Sequence, residues 1–596
     1  MSDGNGQSGW WVGIDVGGTF TDVIAIDRGS GEVRDHKVLT TKGQQELGVL
    51  AALKEVGMDL AEVGEIVHGH TSGINAVLSR QGAKTALLAT AGHRDLLDIG
   101  RMDREFGENL YDPTWVRPHQ VRPIVRRRDR FGVRERSGPD GSSALDLDAA
   151  QVREIAREIK QRGIESVAVC FMNSYIAPEH EERAAEIVRE ECPEIYVQTS
   201  ALYPVTKESE RTNTVAFDAY VGPIVTDYLH RLERDLQAAG FGGTLWIMTM
   251  NGGVGSVAET SKAPVFQLVS GPVGGVAGAV HITRVSDVVP NLLTMDVGGT
   301  STDVAAIRAG ETPMTDLWTE EQGLTMAIPA VDVTSVGSGA GSIAHIDSLG
   351  ALKVGPESAG SEPGPACYGR GGTRPTVTDA CVALGILQPD LFAGGALPLD
   401  REAAEKALGE LGAGLGMSAL EVANGTYRLA CSDMAGSIRS ISTYRGLDLR
   451  EFSLLAFGAA GPMMAGQVAR ELEVDSLIVP QRPGGFSAFG LLTSDIRVTK
   501  ARSPMKTVSA YGAAQLEADY RELEEEAIAD LVAQNVARED IVLQREFFAM
   551  YAGQTWDNRL PLASGELDDA RLVQLEEDVH SFYLGGYGFS AGERPI

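Results

Sequence analysis

The sequence predicts a duplicated α/β fold followed by a smaller α+β module, and three observations support this prediction. A strand–turn–strand motif occurs twice, at residues 13–22 and 295–303. Strands and helices alternate after the first copy, which is typical of a sheet with helices on its faces. Near the C-terminus the pattern changes to two amphipathic helices around two short strands. Because 596 residues are too many for one core, we expect three parts, at 10–204, 205–500 and 501–596.

The repeated motif reads GIDVGGTFTD in its first copy and MDVGGTSTD in its second. Each copy joins two apolar β-type runs through a Gly-Gly turn, with an aspartate, Asp15 or Asp296, at the end of the first run. A glycine pair permits positive φ and lets the backbone approach a bulky anion. Threonine hydroxyls and free amides can bind phosphate oxygens, and the aspartates can hold a divalent cation against them. One copy alone fits a plain hairpin turn equally well. Two copies indicate halves that face each other across a cleft and clasp a polyphosphate, which predicts an ATP site.

The predicted elements follow in chain order. Three β-type runs between Trp10 and Leu39 begin the first unit, residues 101–145 form an excursion over the surface, and the strand Thr244 to Thr249 opens the second unit. The other predicted helices are at about 44–56, 73–81, 147–162, 179–191, 417–442, 513–534 and 568–582, and the other strands at 65–69, 84–89, 166–171, 195–199, 453–457, 541–550 and 557–562.

Composition excludes several classes of partner. The formal net charge of −30 argues against nucleic acid and against an anionic membrane surface, since both attract clustered cations. The one basic cluster, between Arg126 and Arg136, lies among acidic residues and is interpreted as a solvated or interface segment. No apolar run is long enough to span a membrane. The five cysteines are far apart and show no zinc-binding spacing, which favours a reducing, cytoplasmic setting.

Further candidate residues lie where predicted strands end. His68 and Asn75 join a strand to a helix, which is where ligands bind in open α/β sheets, although helix capping explains them equally well. Asn251, in the turn after the strand at 244–249, is a third candidate for substrate contact. The glycine-rich helix that begins after Ser270 either points its N-terminus at the phosphates or packs closely against a sheet through its glycines.

The motif DVGGTFTD resembles the hydantoinase A / 5-oxoprolinase family, which also includes subunits of ATP-dependent ketone carboxylases, within the actin-like (ribonuclease H-like) ATPase superfamily. The resemblance extends over essentially the whole chain. It is most specific in the loop-forming stretches VGPESAG, PGPACYG and PTVTDA between residues 354 and 380. Three residues depart from the family pattern, His70, Thr334 and Met464. Members of the family usually continue further, so we expect a truncated or short variant.

The resemblance implies roles for many residues. Asp15 and Asp296 become the catalytic pair and the ligands of Mg²⁺ (or Mn²⁺), while Asp22 and Asp303 either orient hydroxyls or close their turns. The loop after strand 453–457 becomes the adenosine-binding loop, because its small residues leave room for a flat base. The residues expected to hold ATP are Gly17, Gly18, Thr19, Thr21, Asp22, Gly298, Gly299, Thr300, Thr302, Asp303, Gly337, Gly339, Gly341, Gly458 and Gly461.

The resemblance also implies a reaction. ATP phosphorylates the carbonyl oxygen of a cyclic amide or imide, such as hydantoin, 5-oxoproline or another lactam, and a B-type subunit completes ring opening. A ketone carboxylase subunit is the alternative within the family. A regulatory ATP-binding protein of the actin or chaperone type and a small-molecule kinase are alternatives of other classes.

Overall fold

The structure is a computed structural model, and it describes residues 9–17, 20–40, 44–100, 111–286, 290–321, 324–395, 397–563 and 565–596. In these residues the first motif begins a sheet in which three antiparallel strands are followed by two parallel strands and a last antiparallel one. The strand at the end of each motif pairs with the one that starts it, because the Gly-Gly turn reverses the chain. In sheet order the strands are Val33–Leu39, Phe20–Asp27, Trp10–Val16, Val63–His70, Thr244–Met248 and Val254–Ser256.

The second motif builds a second sheet with the same strand order. The described strands are Thr334–Val336, Thr302–Ile307, Leu292–Val297, Ser453–Phe457 and Leu477–Ile478. As in the first sheet, three antiparallel strands are followed by two parallel ones. This shared topology confirms the predicted duplicated actin-like fold.

One strand lies in a different unit from the one we predicted. Thr244–Met248 pairs in parallel with Val63–His70 and so belongs to the first sheet. The prediction that it opens the second unit is wrong, because the long helix Glu208–Ala238 carries the chain back across the first sheet before the second sheet begins. The proposed boundary near 205 stays a prediction.

Two helices fill the space between the two sheets. Gly271–Val285 and Phe486–Leu492 pack on each other and share one buried core with apolar residues of both sheets. A Cβ on Gly490 would collide with the Gly274 carbonyl, and one on Gly278 would lie 3.2 Å from the Gly490 Cα. The glycines provide close packing between the two helices, and Gly275 also packs on the second sheet, because a Cβ there would lie 2.6 Å from the Phe457 ring. The predicted close packing of this helix against a sheet is therefore present, while the approach of its N-terminus to the phosphates stays a prediction.

A third sheet is parallel throughout its described strands, Tyr196–Thr199, Ser166–Cys170, Thr85–Thr90 and Arg130–Val133, and is covered by the helices Ala149–Gln161 and Glu179–Glu191. Arg130–Val133 corrects the prediction of a surface excursion over 101–145, of which residues 101–110 lie outside the described residues. The basic cluster is neutralised locally: Arg130 Nη1 lies 2.8 Å from Asp98, and Arg127 lies 3.0 Å from Asp95.

The C-terminal module has the predicted α+β composition. The helices Ala513–Ala533 and Asp569–Tyr587 accompany the paired strands Arg545–Ala549 and Asn558–Leu562 and share a small core. The remaining helices and paired strands are Gln45–Glu55, Ser72–Ser79, Leu96–Ile99, Pro118–Val121, Val257–Thr260, Val377–Ala383, Arg401–Leu415, Ala419–Tyr444, Gly461–Leu472 and Val508–Tyr511, with Arg136–Ser137, Ser143–Leu145, Met314–Thr315, Ala330–Val331, Trp318–Glu321, Leu324–Met326, Ser342–Ile346 and Leu352–Ser358. Among the described helices, none combines the length and apolar character needed to cross a bilayer.

Candidate functional site

Each motif places a row of polar side chains on one face of its sheet. In the first sheet Asp15 pairs with Asp22, and Asp22 pairs with Lys37 on the third strand. Directly paired residues point to the same face, so the three side chains form a row across three strands. Gly13 lies on this face too, and a Cβ there would collide with the Ala488 carbonyl. The row therefore faces the helices between the sheets, at the place where the two halves meet.

The second sheet repeats the row with one change. Asp296 pairs with Asp303, and Asp303 pairs with Ser335. Thus the two aspartates recur in both halves, whereas the third position carries a lysine in the first half and a serine in the second.

The Asp15 carboxylate is held without a donor. Its Oδ1 is buried and has no hydrogen-bond partner in the part of the chain that the structure describes. Two glycines leave it room, because a Cβ on Gly69 would lie 3.3 Å from Oδ1 and one on Gly271 would lie 3.1 Å from Oδ2. Burial, and then the charge of Asp22, raise the pKa of Asp15 to about 7. A buried carboxylate with an unsatisfied oxygen is a suitable ligand for a cation.

The Asp296 carboxylate occupies the matching place in the second half. Ser487 donates to its Oδ2 over 3.2 Å. Burial is the main cause that raises the pKa of Asp296 to about 7, followed by the charges of Asp303 and Asp15. Gly271 of one intervening helix lies against Asp15, and Ser487 of the other donates to Asp296, so the two aspartates face the same pair of packed helices from opposite sheets.

The two aspartates fit a divalent cation that completes its coordination elsewhere. Among the described residues no group of three or more histidine, cysteine or acidic side chains is placed to hold a metal. Mg²⁺ usually keeps several waters and takes one or two carboxylates together with phosphate oxygens. The unsatisfied Asp15 oxygen and the opposed Asp296 meet that requirement.

The second threonine of each motif, Thr21 or Thr302, faces away from this row. Thr21 is buried, its hydroxyl lies 3.1 Å from the Thr40 hydroxyl, and Thr40 donates to the Gly17 carbonyl over 2.9 Å. Thr302 is likewise buried and donates to the Ser338 carbonyl over 2.5 Å. These hydroxyls fix the shape of the turns, so the expectation that they hold phosphate does not agree with their positions.

The two turns are closed by equivalent backbone hydrogen bonds. Gly17 donates its amide to the Phe20 carbonyl over 3.0 Å, and Gly298 donates to the Ser301 carbonyl over 2.9 Å. Gly299 and Thr300 are exposed at the tip of the second turn, where a ligand can reach their amides. Gly18 and Thr19 lie outside the described residues.

The glycine loop at 337–341 supports the second turn from behind. Ala340 donates to the Gly298 carbonyl over 3.0 Å, and Gly341 donates to the Gly299 carbonyl over 2.7 Å. A Cβ on Gly339 would lie 2.7 Å from the Thr300 carbonyl carbon, so only glycine allows this approach. Gly339 and Gly341 therefore shape the candidate nucleotide site through the second motif, and Gly337 has open space around it.

The loop-forming stretch at 354–380, on which the resemblance is most specific, folds around the carboxylate of Asp379. The buried Asp379 carboxylate accepts from the amides of Ala366, Cys367 and Thr376, over 3.2, 2.7 and 2.8 Å, and from the Thr376 hydroxyl over 2.8 Å. Ala359 in the same stretch donates to the Gly341 carbonyl over 2.9 Å. The stretch therefore folds around one carboxylate and packs behind the second motif.

The loop after Ser453–Phe457 touches the second motif directly. Gly458 has a φ of +80°, and a Cβ there would lie 2.7 Å from the Val297 carbonyl oxygen and still closer to Asp296 Oδ1. Gly461 starts the next helix, where a Cβ would lie 3.2 Å from the Met295 carbonyl oxygen. Met464 is fully buried in the core of the second half, as expected of a core residue.

Two of the three candidate substrate residues are engaged elsewhere. His68 is fully buried on the sheet face opposite Asp15, with its Nε2 2.8 Å from the Tyr228 hydroxyl. The Asn251 Oδ1 accepts from the Thr249 hydroxyl and the Gly253 amide, over 2.7 and 2.9 Å, and so closes a turn. Neither position agrees with the expected substrate contact.

Asn75 is placed nearer the first motif. It is exposed and donates to the Thr71 hydroxyl over 3.0 Å, while Thr71 donates to the Val16 carbonyl over 3.2 Å. Its part in substrate binding stays a prediction.

His70, one of the three residues that depart from the family pattern, is a second buried histidine. It stacks on His68, lies 2.8 Å from the Ser72 hydroxyl through Nδ1, and lies 3.1 Å from Gln267 through Nε2. Burial lowers the pKa of His68 to about 3 and that of His70 to about 4. Both rings are therefore neutral parts of the core and do not line the cleft.

Sequence reasoning missed two polar residues of the site, Lys37 and Ser487. Lys37 stands at the row position next to Asp22, and pairing of the first three runs in register would have indicated it. Ser487 follows the Pro-Gly-Gly turn at 483–485, and nothing local indicates that this turn reaches Asp296.

The fold and the paired aspartates define the class of protein as a duplicated actin-like α/β protein with opposed carboxylates between its halves. The model of the hydantoinase/oxoprolinase N-terminal region matches residues 11–192, and that of hydantoinase/oxoprolinase matches residues 211–500. The chain belongs to the hydantoinase/oxoprolinase family.

Relatives with known activities lie in two branches. The caprolactamase subunit alpha of Pseudomonas jessenii is 31% identical over 98% of this chain and 85% of its own length. The acetone carboxylase beta subunit of Xanthobacter autotrophicus is 31% identical over 97% of this chain and 84% of its own length. The crystal structure of the ATP-dependent caprolactamase from Pseudomonas jessenii superimposes with a TM-score of 0.80 at 29% identity, over 98% of this chain and 86% of that one.

Proposed function

We propose that this chain is the ATP-dependent subunit of a lactam or imide hydrolase, and that it phosphorylates the carbonyl oxygen of a cyclic amide. The observation that carries the proposal is the pair Asp15 and Asp296, each near the end of the strand that leads into a glycine turn, on opposite sides of the two intervening helices. Polyphosphate binding needs a cation, free amides in a turn and space beside them. The two carboxylates would hold the cation, and the glycine turns that follow them would supply the amides and the space. The ATP-dependent caprolactamase supports the nucleotide.

The reaction needs little covalent chemistry from the protein. The amide oxygen attacks the γ-phosphorus, the bond to the bridging oxygen breaks with its electrons leaving on ADP, and the amide N–H proton passes to solvent. Water then adds to the activated carbon, and the C–N bond breaks with its electrons and a proton going to the amine nitrogen, which leaves an acyl phosphate. A second water converts the acyl phosphate to the carboxylate and releases phosphate. The site residues hold the phosphates in line and exclude competing geometries. Mg²⁺, when bound by Asp15 and Asp296, supplies charge neutralisation for the transferring group.

The substrate we propose is a lactam or imide such as caprolactam, 5-oxoproline or hydantoin. The caprolactamase relative supports this branch, while the acetone carboxylase relative, equally similar in identity, supports a ketone and bicarbonate as the second candidate. Both relatives are named as subunits, so we also propose a partner subunit, of the B type in the hydrolase branch.

The test is phosphate release by the complex purified from its own cells. Phosphate release by the wild type would be measured with caprolactam, 5-oxoproline or hydantoin, and with acetone or acetophenone plus bicarbonate. Asp296→Asn removes one of the paired carboxylate charges, and Asp475→Asn is the matched control, because Asp475 is an exposed acid of the same half.

Each outcome assigns a different activity. Release stimulated by a lactam or imide, lost in Asp296→Asn and kept in Asp475→Asn, would support the hydrolase. Stimulation by a ketone with bicarbonate alone would move the protein to the carboxylases. A stable phosphorylated product would indicate a kinase, and turnover indifferent to all these substrates would indicate a regulatory ATPase.

A further inference from the structure

A cavity of about 360 Å³ opens between the two halves, beside the carboxylate row. Asp22 and residues 35–37 line it from the first sheet, and residues 481–485 line it from the second half. The two walls are tied together, since Arg482 forms an ion pair with Asp35. The cavity therefore continues the candidate phosphate site toward the outside of the first half.

Lys37 is the polar group best placed in this cavity. Its ammonium lies 2.5 Å from one oxygen of Asp22 and 2.7 Å from the other. An ammonium has three N–H donors, so the pair with Asp22 fixes its position and leaves one donor for a ligand. The side chain is 28% exposed, which is enough for a ligand to reach it.

The charges around the row give Lys37 a special place. Of the charged groups that shift the pKa values of Asp15, Asp22, Asp296 and Asp303 in the described residues, Lys37 is the one cation. Four carboxylates repel a nucleotide phosphate unless cations offset them. The matching position in the second half holds Ser335, so this cation is confined to the first half.

The difference between Lys37 in the first half and Ser335 in the second half indicates which way the nucleotide lies across the gap. The loop that leaves room for a flat base, Gly458 to Gly461, lies against Asp296 in the second half. A nucleotide whose base lies there and whose phosphates cross the gap between the motifs ends with its γ-phosphate in the first half, beside Lys37.

We infer that Lys37 binds the γ-phosphoryl group of ATP, and that the cavity beside it admits the carbonyl group that accepts this phosphoryl. The inference rests on the proposed function for the nucleotide and adds a catalytic residue and an acceptor site. During transfer the γ-phosphorus exchanges its bond to the ADP oxygen for a bond to the carbonyl oxygen. Lys37 keeps its proton and offsets the charge on the phosphoryl oxygens.

The experiment compares affinities for two nucleotides that differ in the γ-phosphate. Wild type, Lys37→Met and Lys37→Arg would be titrated with Mg·ADP and with Mg·AMPPNP by calorimetry. Because a hydrogen bond to a charged group is worth about 10- to 100-fold in binding, Lys37→Met should weaken AMPPNP at least tenfold and change ADP less than twofold. Lys37→Arg should regain part of the loss, and Lys54→Met, which removes an exposed lysine of the same half, should change neither affinity.

The double variant Lys37→Met with Asp22→Asn guards against misfolding, because it removes both charges of this ion pair together. The inference is overturned if both nucleotides weaken equally in folded Lys37→Met, or if neither weakens. It stands if AMPPNP alone weakens, even where no lactam or ketone stimulates turnover, a result that would refute the proposed substrate class only. Wild type that binds neither nucleotide would refute both proposals.

Discussion

Gly458 is the glycine on which the second half of the site depends most. Its φ of +80° is a conformation that L-residues rarely adopt, and a Cβ would lie 2.7 Å from the Val297 carbonyl oxygen and closer still to Asp296 Oδ1. In Gly458→Ala the left-handed conformation costs about 1–2 kcal/mol and the overpacking a further 1–3 kcal/mol. We therefore expect a loss of about 2–5 kcal/mol in the free energy of unfolding of this half, and displacement of the Asp296 carboxylate.

The helix that follows this loop provides a matched control. Gly466 lies in Gly461–Leu472, is exposed and has open space where a Cβ would stand. Gly466→Ala should therefore stabilise the protein by about 0.5–1 kcal/mol, because alanine loses less conformational freedom in a helix. The same substitution thus has opposite signs at two positions of one segment.

The assay has two readouts. Urea unfolding followed by tryptophan fluorescence gives the change in stability, and calorimetry with Mg·ADP gives the effect on the candidate site. We expect Gly458→Ala to lose both stability and nucleotide affinity and Gly466→Ala to lose neither. A Gly458→Ala protein with wild-type stability and nucleotide affinity would show that this loop does not lie as close to Asp296 as the structure places it.

Three further predictions test the core and the turns. The folded His70 has a pKa of about 4, below its ordinary 6.5, so the folded state excludes a proton that the unfolded chain takes up below pH 6.5. His70→Thr removes that penalty. On going from pH 7.5 to 5.5, the free energy of unfolding of His70→Thr should therefore rise by about 1.4 kcal/mol relative to that of wild type, measured by urea unfolding at the two pH values. Asp15 and Asp296 have the opposite effect on stability, but this effect is common to both proteins and cancels in the comparison. Thr302→Val leaves the Ser338 carbonyl without its donor and should lower the free energy of unfolding by about 1–3 kcal/mol. Thr302→Ser should restore both stability and nucleotide affinity. A Thr302→Val protein that keeps its stability but loses nucleotide affinity would instead show that Thr302 binds phosphate. Asp379→Asn replaces an acceptor oxygen by a donor amide among amide donors and should cost about 3 kcal/mol or more, while unchanged thermal unfolding would refute the central place of that carboxylate.

The local pattern accounts for much of the fold. Alternating apolar residues and a Gly-Gly turn specify two short antiparallel strands wherever they occur, so the two motifs predicted both hairpins and, through their repetition, the duplicated sheets. Helices with strong periodicity or a capping residue, such as Ala149–Gln161 and Ala419–Tyr444, lie within a few residues of their predicted ends. The aspartates of the motifs follow from the same patterns, because strand and turn fix where they stand.

Tertiary structure decided what local patterns leave open. A strand does not specify which sheet it joins, and Thr244–Met248 joined the first because the long helix before it spans that sheet. Nor does a sequence say which face of a strand meets the cleft: register turns Asp15 and Asp22 inward and His68 and Thr21 to the far side. The sequence by itself therefore determined the repeated hairpins and their paired acids. Pairing of consecutive strands places Lys37 beside Asp22. Only the packing of distant segments decided that Ser487 and Gly458 join those acids, since each is brought to Asp296 by contacts between residues far apart in the chain.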